Sequence, residues 1–287
     1  MTLSKSSILP KRDGHTHTEF CPHGSRESTE LFIQRAIELG FEAYSLTEHP
    51  PLPPRFNDPA PDRSCGMVLE DLEPYVTHAK KLSDRFSSRI VVSVGLEVDF
   101  IPGFEEATRQ LLHQVGSELK DSLLSVHFLP GKGGWRCLDY SADDFKDGLL
   151  DFYGSIEAVH EAYWLMVQAA IETDLGPFKP RRIGHLSLVN KFQKKFPLAN
   201  PKRFQSKVCE ILDQIQAREM ELDFNAAGLF KPDCQEIYPS GWILQQAIQR
   251  KIPLVYGSDA HSVQGVGQGF EEAESLVQSL MSNPTHS

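Results

Sequence analysis

The chain has few cysteines and lacks the common nucleotide-binding and serine-nucleophile motifs. Its five cysteines are scattered, odd in number and never spaced as CxxC, so neither a zinc knuckle nor a disulfide framework is predicted. The patterns GxSxG, GxxxxGK[ST] and GxGxxG are also absent, which argues against a serine hydrolase, a P-loop enzyme and a dinucleotide-binding enzyme. The cysteine usage favours a reducing compartment, and we predict a cytoplasmic protein.

Long apolar runs and an excess of basic residues are missing as well. No window approaches the roughly 20 apolar residues of a membrane span, and Met1–Pro10 lacks the apolar core of a signal peptide. The net charge of −10 is the opposite of the basic footprint of a nucleic-acid binder. We therefore predict neither a membrane nor a nucleic-acid partner. The sequence carries no signal for a particular oligomeric state.

Segments with strand and helix patterns alternate along the whole chain. Predicted strands lead into Asp13–His17 and cover Phe41–Thr47, Arg89–Phe100, Ser122–Phe128, Arg182–Leu186, Glu219–Asn225 and Pro253–Ser258. Predicted helices cover Leu31–Leu39, Val68–Phe86, Phe104–Val115, Ile156–Ile171, Pro201–Arg218, Trp242–Arg250 and Phe270–Met281. About seven βα units in series imply a parallel sheet that closes into an α/β barrel. We predict one domain over residues 1–287, with Pro50–Pro61 and Gly131–Asp139 as loops at its mouth.

Most of the histidines fall at the predicted strand ends. Seven of the eleven are found there: His15, His17, His23, His49, His127, His185 and His261. Residues two apart on a strand point to the same face, so the two imidazoles of the HxH pair can reach one metal ion. Barrels of this kind keep their active sites at the C-terminal ends of the strands. The pattern therefore predicts a metal site at that end.

Acidic residues complete the candidate donor set. Glu97 and Asp99 share a face of a buried strand, and Asp259 forms a DxH pair with His261. A buried carboxylate needs a partner, and a metal ion is the obvious one. The seven histidines with Glu97 and Asp259 suffice for two to three divalent ions, and such donors accept zinc, manganese or iron. We predict Glu97, Asp259 and His261 as catalytic, and Cys21 is a further candidate donor.

Taken together, these motifs resemble those of the polymerase and histidinol phosphatase (PHP) superfamily. The residues that carry the resemblance are Asp13–His17, Thr47–His49, Gly95–Phe100, Ser125–Phe128, Ile183–Leu186 and Gly257–His261. They span nearly the whole chain in the family's order. The fuller strings Glu97–Gly103 and Asn225–Ser240 are most similar to the monofunctional histidinol-phosphatase branch. The resemblance implies a distorted (β/α)7 TIM-like barrel with a trinuclear metal centre.

The resemblance also implies how the donors are grouped. The first metal would be held by His15, His17, Glu97 and Asp259; the second by Glu97, His127 and His185; and the third by His23, His49 and His261. Family members often carry HxH on the second strand, whereas this chain reads Thr47-Glu48-His49. The role of Glu48 is therefore open at this point.

The function implied by the resemblance is metal-assisted hydrolysis of L-histidinol phosphate to L-histidinol and phosphate, in histidine biosynthesis. We predict Arg182 or Lys231 as the phosphate contact, and Asp99, Asp139 and Glu19 as contacts for the cationic end of the substrate. Three alternatives are a PHP-type phosphoesterase acting on nucleotides or other small phosphomonoesters, an amidohydrolase-like C–N hydrolase, and a non-catalytic metal-binding protein.

Overall fold

The computed structural model describes residues 8–282, which form two sheets. The ends of the predicted domain, residues 1–7 and 283–287, lie outside the described residues. Seven parallel strands make the larger sheet: β1 (Arg12–Asp13), β2 (Ala43–Glu48), β3 (Val91–Asp99), β4 (Leu123–Ser125), β7 (Arg182–Ile183), β8 (Glu221–Asn225) and β9 (Leu254–Gly257). The smaller sheet is an antiparallel hairpin of β5 (Phe128–Gly131) and β6 (Gly134–Cys137).

The seven parallel strands follow chain order around a ring, β1-β2-β3-β4-β7-β8-β9. The ring closes just beyond β1 and β9, where the Gly14 amide donates to the Tyr256 carbonyl (2.8 Å) and the Asp259 amide donates to the His15 carbonyl (2.8 Å). A parallel bridge joins Thr16 to Ala260 next to these bonds. The predicted (β/α)7 barrel is confirmed.

Helices cover the outside of the barrel, and the longer ones each bury one apolar face. In the second helix, Leu72, Tyr75, Ala79 and Leu82 recur three or four residues apart and are all buried. The helices are α1 (Thr29–Glu38), α2 (Leu72–Phe86), α3 (Glu105–Val115), α4 (Ala142–Asp144), α5 (Asp151–Tyr153), α6 (Ile156–Glu172), α7 (Gln205–Ala217), α8 (Gly241–Gln249) and α9 (Phe270–Ser282). Within residues 8–282, no helix combines the length and the apolar character needed to cross a membrane.

The two predicted mouth loops have different outcomes. Residues 50–61 contain neither helix nor strand, as their prolines predict. Residues 131–139 were predicted as a loop, and this is wrong, because most of them belong to the β5–β6 hairpin. Gly133 and Gly134 take positive φ at its turn, a conformation that lets the chain reverse within two residues. The proline-rich segment of residues 50–61 packs on this hairpin through Phe56, whose ring centroid lies 5.1 Å from that of Phe128.

Candidate metal centre and cleft

The strand ends bring the predicted donors together in one cluster. Donor atoms within each of three groups lie within 4.8 Å of one another. The groups are His15, His17 and Asp259; Glu97, His127 and His185; and His17, Cys21, His49 and His261. The remaining predicted donor, His23, places its Nε2 2.9 Å from Nε2 of His261. All nine predicted donors therefore lie at this centre, and Cys21 lies beside them.

Glu97 stands between two of these groups. One carboxylate oxygen, Oε2, lies 3.0 Å from Nε2 of His15, and the other, Oε1, lies 2.8 Å from Nε2 of His185. The side chain is almost fully buried. A carboxylate placed in this way can bridge two cations.

Imidazole nitrogens of different strands converge on one another beside Glu97. Nε2 of His127 lies 3.0 Å from Nε2 of His185, and Nδ1 of His49 is buried with no hydrogen-bond partner. A buried polar atom left alone is costly. Nitrogens that converge at this separation are typical of ligands to one ion, because zinc–nitrogen bonds are about 2.0–2.1 Å long. The donor set therefore fits divalent metal ions.

Three further carboxylates contact predicted metal-binding histidines through the ring nitrogen Nδ1. Each accepts a hydrogen bond from Nδ1: Asp223 from His15 (2.8 Å), Glu48 from His17 (3.1 Å) and Asp99 from His127 (2.7 Å). Such contacts fix the tautomer and the ring orientation of metal-binding histidines, leaving Nε2 free for an ion. This contact gives Glu48 a role, which is to hold the ring of His17.

The electrostatics of the centre favour bound positive charge. Burial alone would lower the pKa of His17, but hydrogen bonds to Asp259 and Glu48 raise it to about 9. Burial likewise opposes the charge on His127, whose pKa the carboxylates of Asp99 and Glu97 raise to about 10. Carboxylates that stabilise protons on buried imidazoles stabilise divalent cations in the same place.

A cleft of about 500 Å³ opens over the cluster. Five acids and two lysines line it: Asp62, Glu97, Asp99, Asp139, Asp259, Lys191 and Lys231. Three predicted substrate contacts, Asp99, Asp139 and Lys231, are thus at the cleft. Lys231 has no carboxylate within ion-pair distance among residues 8–282, whereas Nζ of Lys191 contacts Oδ2 of Asp139 at 2.9 Å.

Two residues that were predicted as substrate contacts do not line the cleft, Arg182 and Glu19. Arg182 is buried inside the barrel, where its guanidinium donates to Oδ1 of Asp121 at 2.6 Å. It lies at the start of its strand, so it belongs to the layer beneath the metal centre. Glu19 does not line the cleft either, because its carboxylate accepts a hydrogen bond from the amide of Thr29 at the start of α1. There it satisfies an amide that has no partner inside the helix.

Asp223 and Asn225 were not identified from the sequence. Asn225 is fully buried, and its side-chain amide donates to Oδ2 of Asp259 at 3.2 Å. Asp223 lies two residues earlier on the same strand and therefore on the same inward face. That alternation, with an acid and an amide on a buried strand, was the signal that could have identified Asp223.

Comparison with known proteins places these features in a family. The PHP domain family matches residues 13–227 of the chain. The histidinol-phosphatase of Bacillus subtilis is 43% identical over 263 residues, which cover 92% of this chain and 98% of that protein.

Solved structures agree in fold. A Listeria monocytogenes protein named as a histidinol phosphatase, hisK, superposes with a TM-score of 0.88 at 43% identity, covering 91% of this chain and 99% of that one. The histidinol phosphate phosphatase of Lactococcus lactis, solved with zinc, L-histidinol and phosphate, superposes with a TM-score of 0.72 at 19% identity. That match covers 97% of this chain and 95% of the Lactococcus chain.

Proposed function

The chain belongs to the PHP domain family, and from that premise we propose that it hydrolyses L-histidinol phosphate to L-histidinol and phosphate. The observation that carries the proposal is Glu97, with one oxygen at His15 and the other at His185, inside a cluster of nine histidine and acid side chains. The substrate class follows from the relative in Bacillus subtilis, which matches nearly end to end.

We assign two to three divalent ions to this cluster, with zinc, manganese and iron all compatible with its donors. His15, His17, Glu97 and Asp259 would hold the first ion, and Glu97, His127 and His185 the second. His23, His49 and His261 would hold the third. When bound, the ions supply a water of lowered pKa and neutralise negative charge on the phosphoryl oxygens.

Residues around the metal cluster orient its histidines and provide a positive charge for the substrate. Asp223, Glu48 and Asp99 hold three imidazoles in place, so the donors need not reorganise as the reaction proceeds. Lys231 provides an unpaired ammonium at the cleft, which suits the phosphoryl oxygens of the substrate. The proposed location is the cytoplasm, because scattered cysteines suit a reducing compartment.

Steady-state kinetics with L-histidinol phosphate, a nucleotide monophosphate and p-nitrophenyl phosphate test the proposal. The metal-loaded protein should give its highest kcat/KM on L-histidinol phosphate, and chelation should abolish turnover of all three. A far higher kcat/KM for the nucleotide would overturn the substrate assignment and favour a nucleotide phosphoesterase. Full activity after exhaustive chelation would overturn the metal mechanism. Cleavage of C–N bonds without phosphatase activity would indicate an amidohydrolase-like enzyme.

A further inference from the structure

Four of the five acids that line the cleft already have partners. Glu97 and Asp259 face the histidines of the metal centre. Asp99 accepts a hydrogen bond from His127, and Asp139 forms an ion pair with Lys191. Each of these four carboxylates would have to share a cationic group of the substrate with a partner that it already has.

The fifth acid, Asp62, is different. Its Oδ1 accepts a hydrogen bond from the hydroxyl of Ser64 (2.7 Å), and no lysine, arginine or histidine of residues 8–282 pairs with its carboxylate. Its position is close to the metal centre, because the Ser64 carbonyl accepts a hydrogen bond from Nδ1 of His23 (2.8 Å). Asp62 is therefore an unpaired carboxylate at the cleft, two residues from a direct contact with a predicted metal ligand.

The cleft thus has two unpaired charges of opposite sign. Lys231 follows β8 and Asp62 follows β2, and these strands are on opposite sides of the ring. L-Histidinol phosphate also has one charge of each sign. Its phosphate dianion is esterified to the terminal carbon, and its ammonium is on the carbon next to that one. A substrate whose phosphate lies at the metal centre and Lys231 would direct its ammonium toward the loop that carries Asp62.

We propose that Asp62 binds the ammonium group of the substrate and so determines the preference for an amino-alcohol phosphate. The inference rests on the proposed function and adds a residue to it. Asp62 directly follows residues 50–61, the proline-rich segment that packs on the β5–β6 hairpin through Phe56. A hydrogen bond to a charged group, made in the transition state as well as in the ground state, raises kcat/KM.

The test pairs an enzyme variant with a substrate variant. Asp62→Asn and wild type are compared on L-histidinol phosphate and on its deamino analogue, which lacks only the ammonium. Wild type should prefer the amine substrate, and Asp62→Asn should lose kcat/KM on that substrate by about 10-fold or more. On the deamino analogue and on p-nitrophenyl phosphate the two proteins should be equal, because neither substrate offers the missing contact.

Glu70→Gln is the matched control, because it removes an equally exposed negative charge that does not line the cleft. It should keep the wild-type preference for the amine. Should Asp62→Asn fold poorly, Asp62→Ser at the same exposed position gives the same comparison, with thermal unfolding as the check. An Asp62 variant that keeps the wild-type ratio of the two substrates would overturn this inference alone. Wild type that ignores L-histidinol phosphate but cleaves other phosphomonoesters would overturn the proposed function instead.

Discussion

Nδ1 of His15 donates a hydrogen bond to Oδ2 of Asp223 at 2.8 Å, and neither side chain is exposed. The same carboxylate oxygen accepts a hydrogen bond from the amide of His185 at 3.1 Å. Asp223 thus connects His15 of the first predicted metal position to the backbone of His185 of the second. It orients the donor set without belonging to it.

We expect Asp223→Ala to weaken metal binding about 10- to 100-fold, as measured for outer partners of metal-binding histidines. Without the carboxylate, the His15 ring can rotate and can take the other tautomer. Metal content is measured after equilibration with a graded series of chelator concentrations, and circular dichroism checks the fold. A variant that is folded and holds its metal as tightly as wild type would show that the contact has no orienting role.

Glu97→Gln tests the bridging position. The amide keeps the shape but loses the negative charge between the two predicted metals, so at least one metal equivalent and most of kcat should be lost. Elemental analysis of the purified variant gives the stoichiometry, and steady-state kinetics give kcat. Glu118→Gln serves as the control, because it neutralises an exposed carboxylate that pairs with Lys80 and does not line the cleft. Normal metal content together with normal kcat would contradict a bridging role.

The barrel and the donor cluster were predictable because both follow from periodic features of the sequence. Buried parallel strands appear as stretches rich in valine, isoleucine and leucine, as in β3, where Val92, Val94, Leu96 and Val98 are all buried. The histidines fall where such stretches end. Chain order then determines the ring, since parallel strands linked by helices lie side by side. The metal roles of the individual donors stay predictions, and the variants described here test them.

Arg182 and Glu19 lie away from the cleft for a common physical reason, namely that a charge near a strand does not reveal which end of the barrel it faces. Arg182 was assigned to the mouth because it precedes His185 by three residues, but three residues along a strand are about 10 Å, enough to move from one layer to another. Glu19 follows His17 closely, yet its side chain turns outward to α1. The partners of such charges depend on tertiary contacts that no local pattern records.

Arg182→Met should therefore affect stability and leave substrate recognition unchanged. The arginine forms a buried ion pair with Asp121, which also pairs with Arg12, so the variant leaves this buried carboxylate with one cationic partner instead of two. The loss of stability should therefore stay below the roughly 3–5 kcal/mol that breaking an isolated buried pair costs. Chemical denaturation measures the loss, and KM of the protein that remains folded should match wild type. A variant of normal stability with a raised KM would restore the original phosphate assignment.

Lys231→Ala should lower kcat/KM by about 10-fold or more on every phosphomonoester, since hydrogen bonds to charged groups contribute roughly 1.5–3 kcal/mol. Its ammonium would contact the phosphate, which all these substrates share, so the ratio between substrates should stay constant. This pattern distinguishes Lys231 from Asp62, whose loss should affect only the amine substrate. Lys251→Ala, at an exposed turn, is the control. Unchanged kinetics in Lys231→Ala would remove it from the phosphate site.

His160 should make the protein less stable in mild acid. It is buried on α6 against Phe204, with a ring-centroid distance of 5.8 Å, and burial lowers its pKa to about 4 from an ordinary value of 6.5. Between these two pH values the unfolded chain binds a proton that the folded chain does not. The contribution of His160 to the free energy of unfolding is therefore fully present above pH 6.5 and is lost as the pH drops toward 4. The loss amounts to about 3 kcal/mol.

The His160→Phe variant isolates this contribution, because phenylalanine keeps the stacked ring and cannot bind a proton. Urea denaturation of wild type and variant at about pH 7 and about pH 4.5 gives four unfolding free energies. The variant's free energy of unfolding, taken relative to that of wild type, should be higher at the lower pH. Other titrating groups do not affect this comparison, because they are common to both proteins. A difference that does not change with pH would show that His160 is not held neutral in the folded protein.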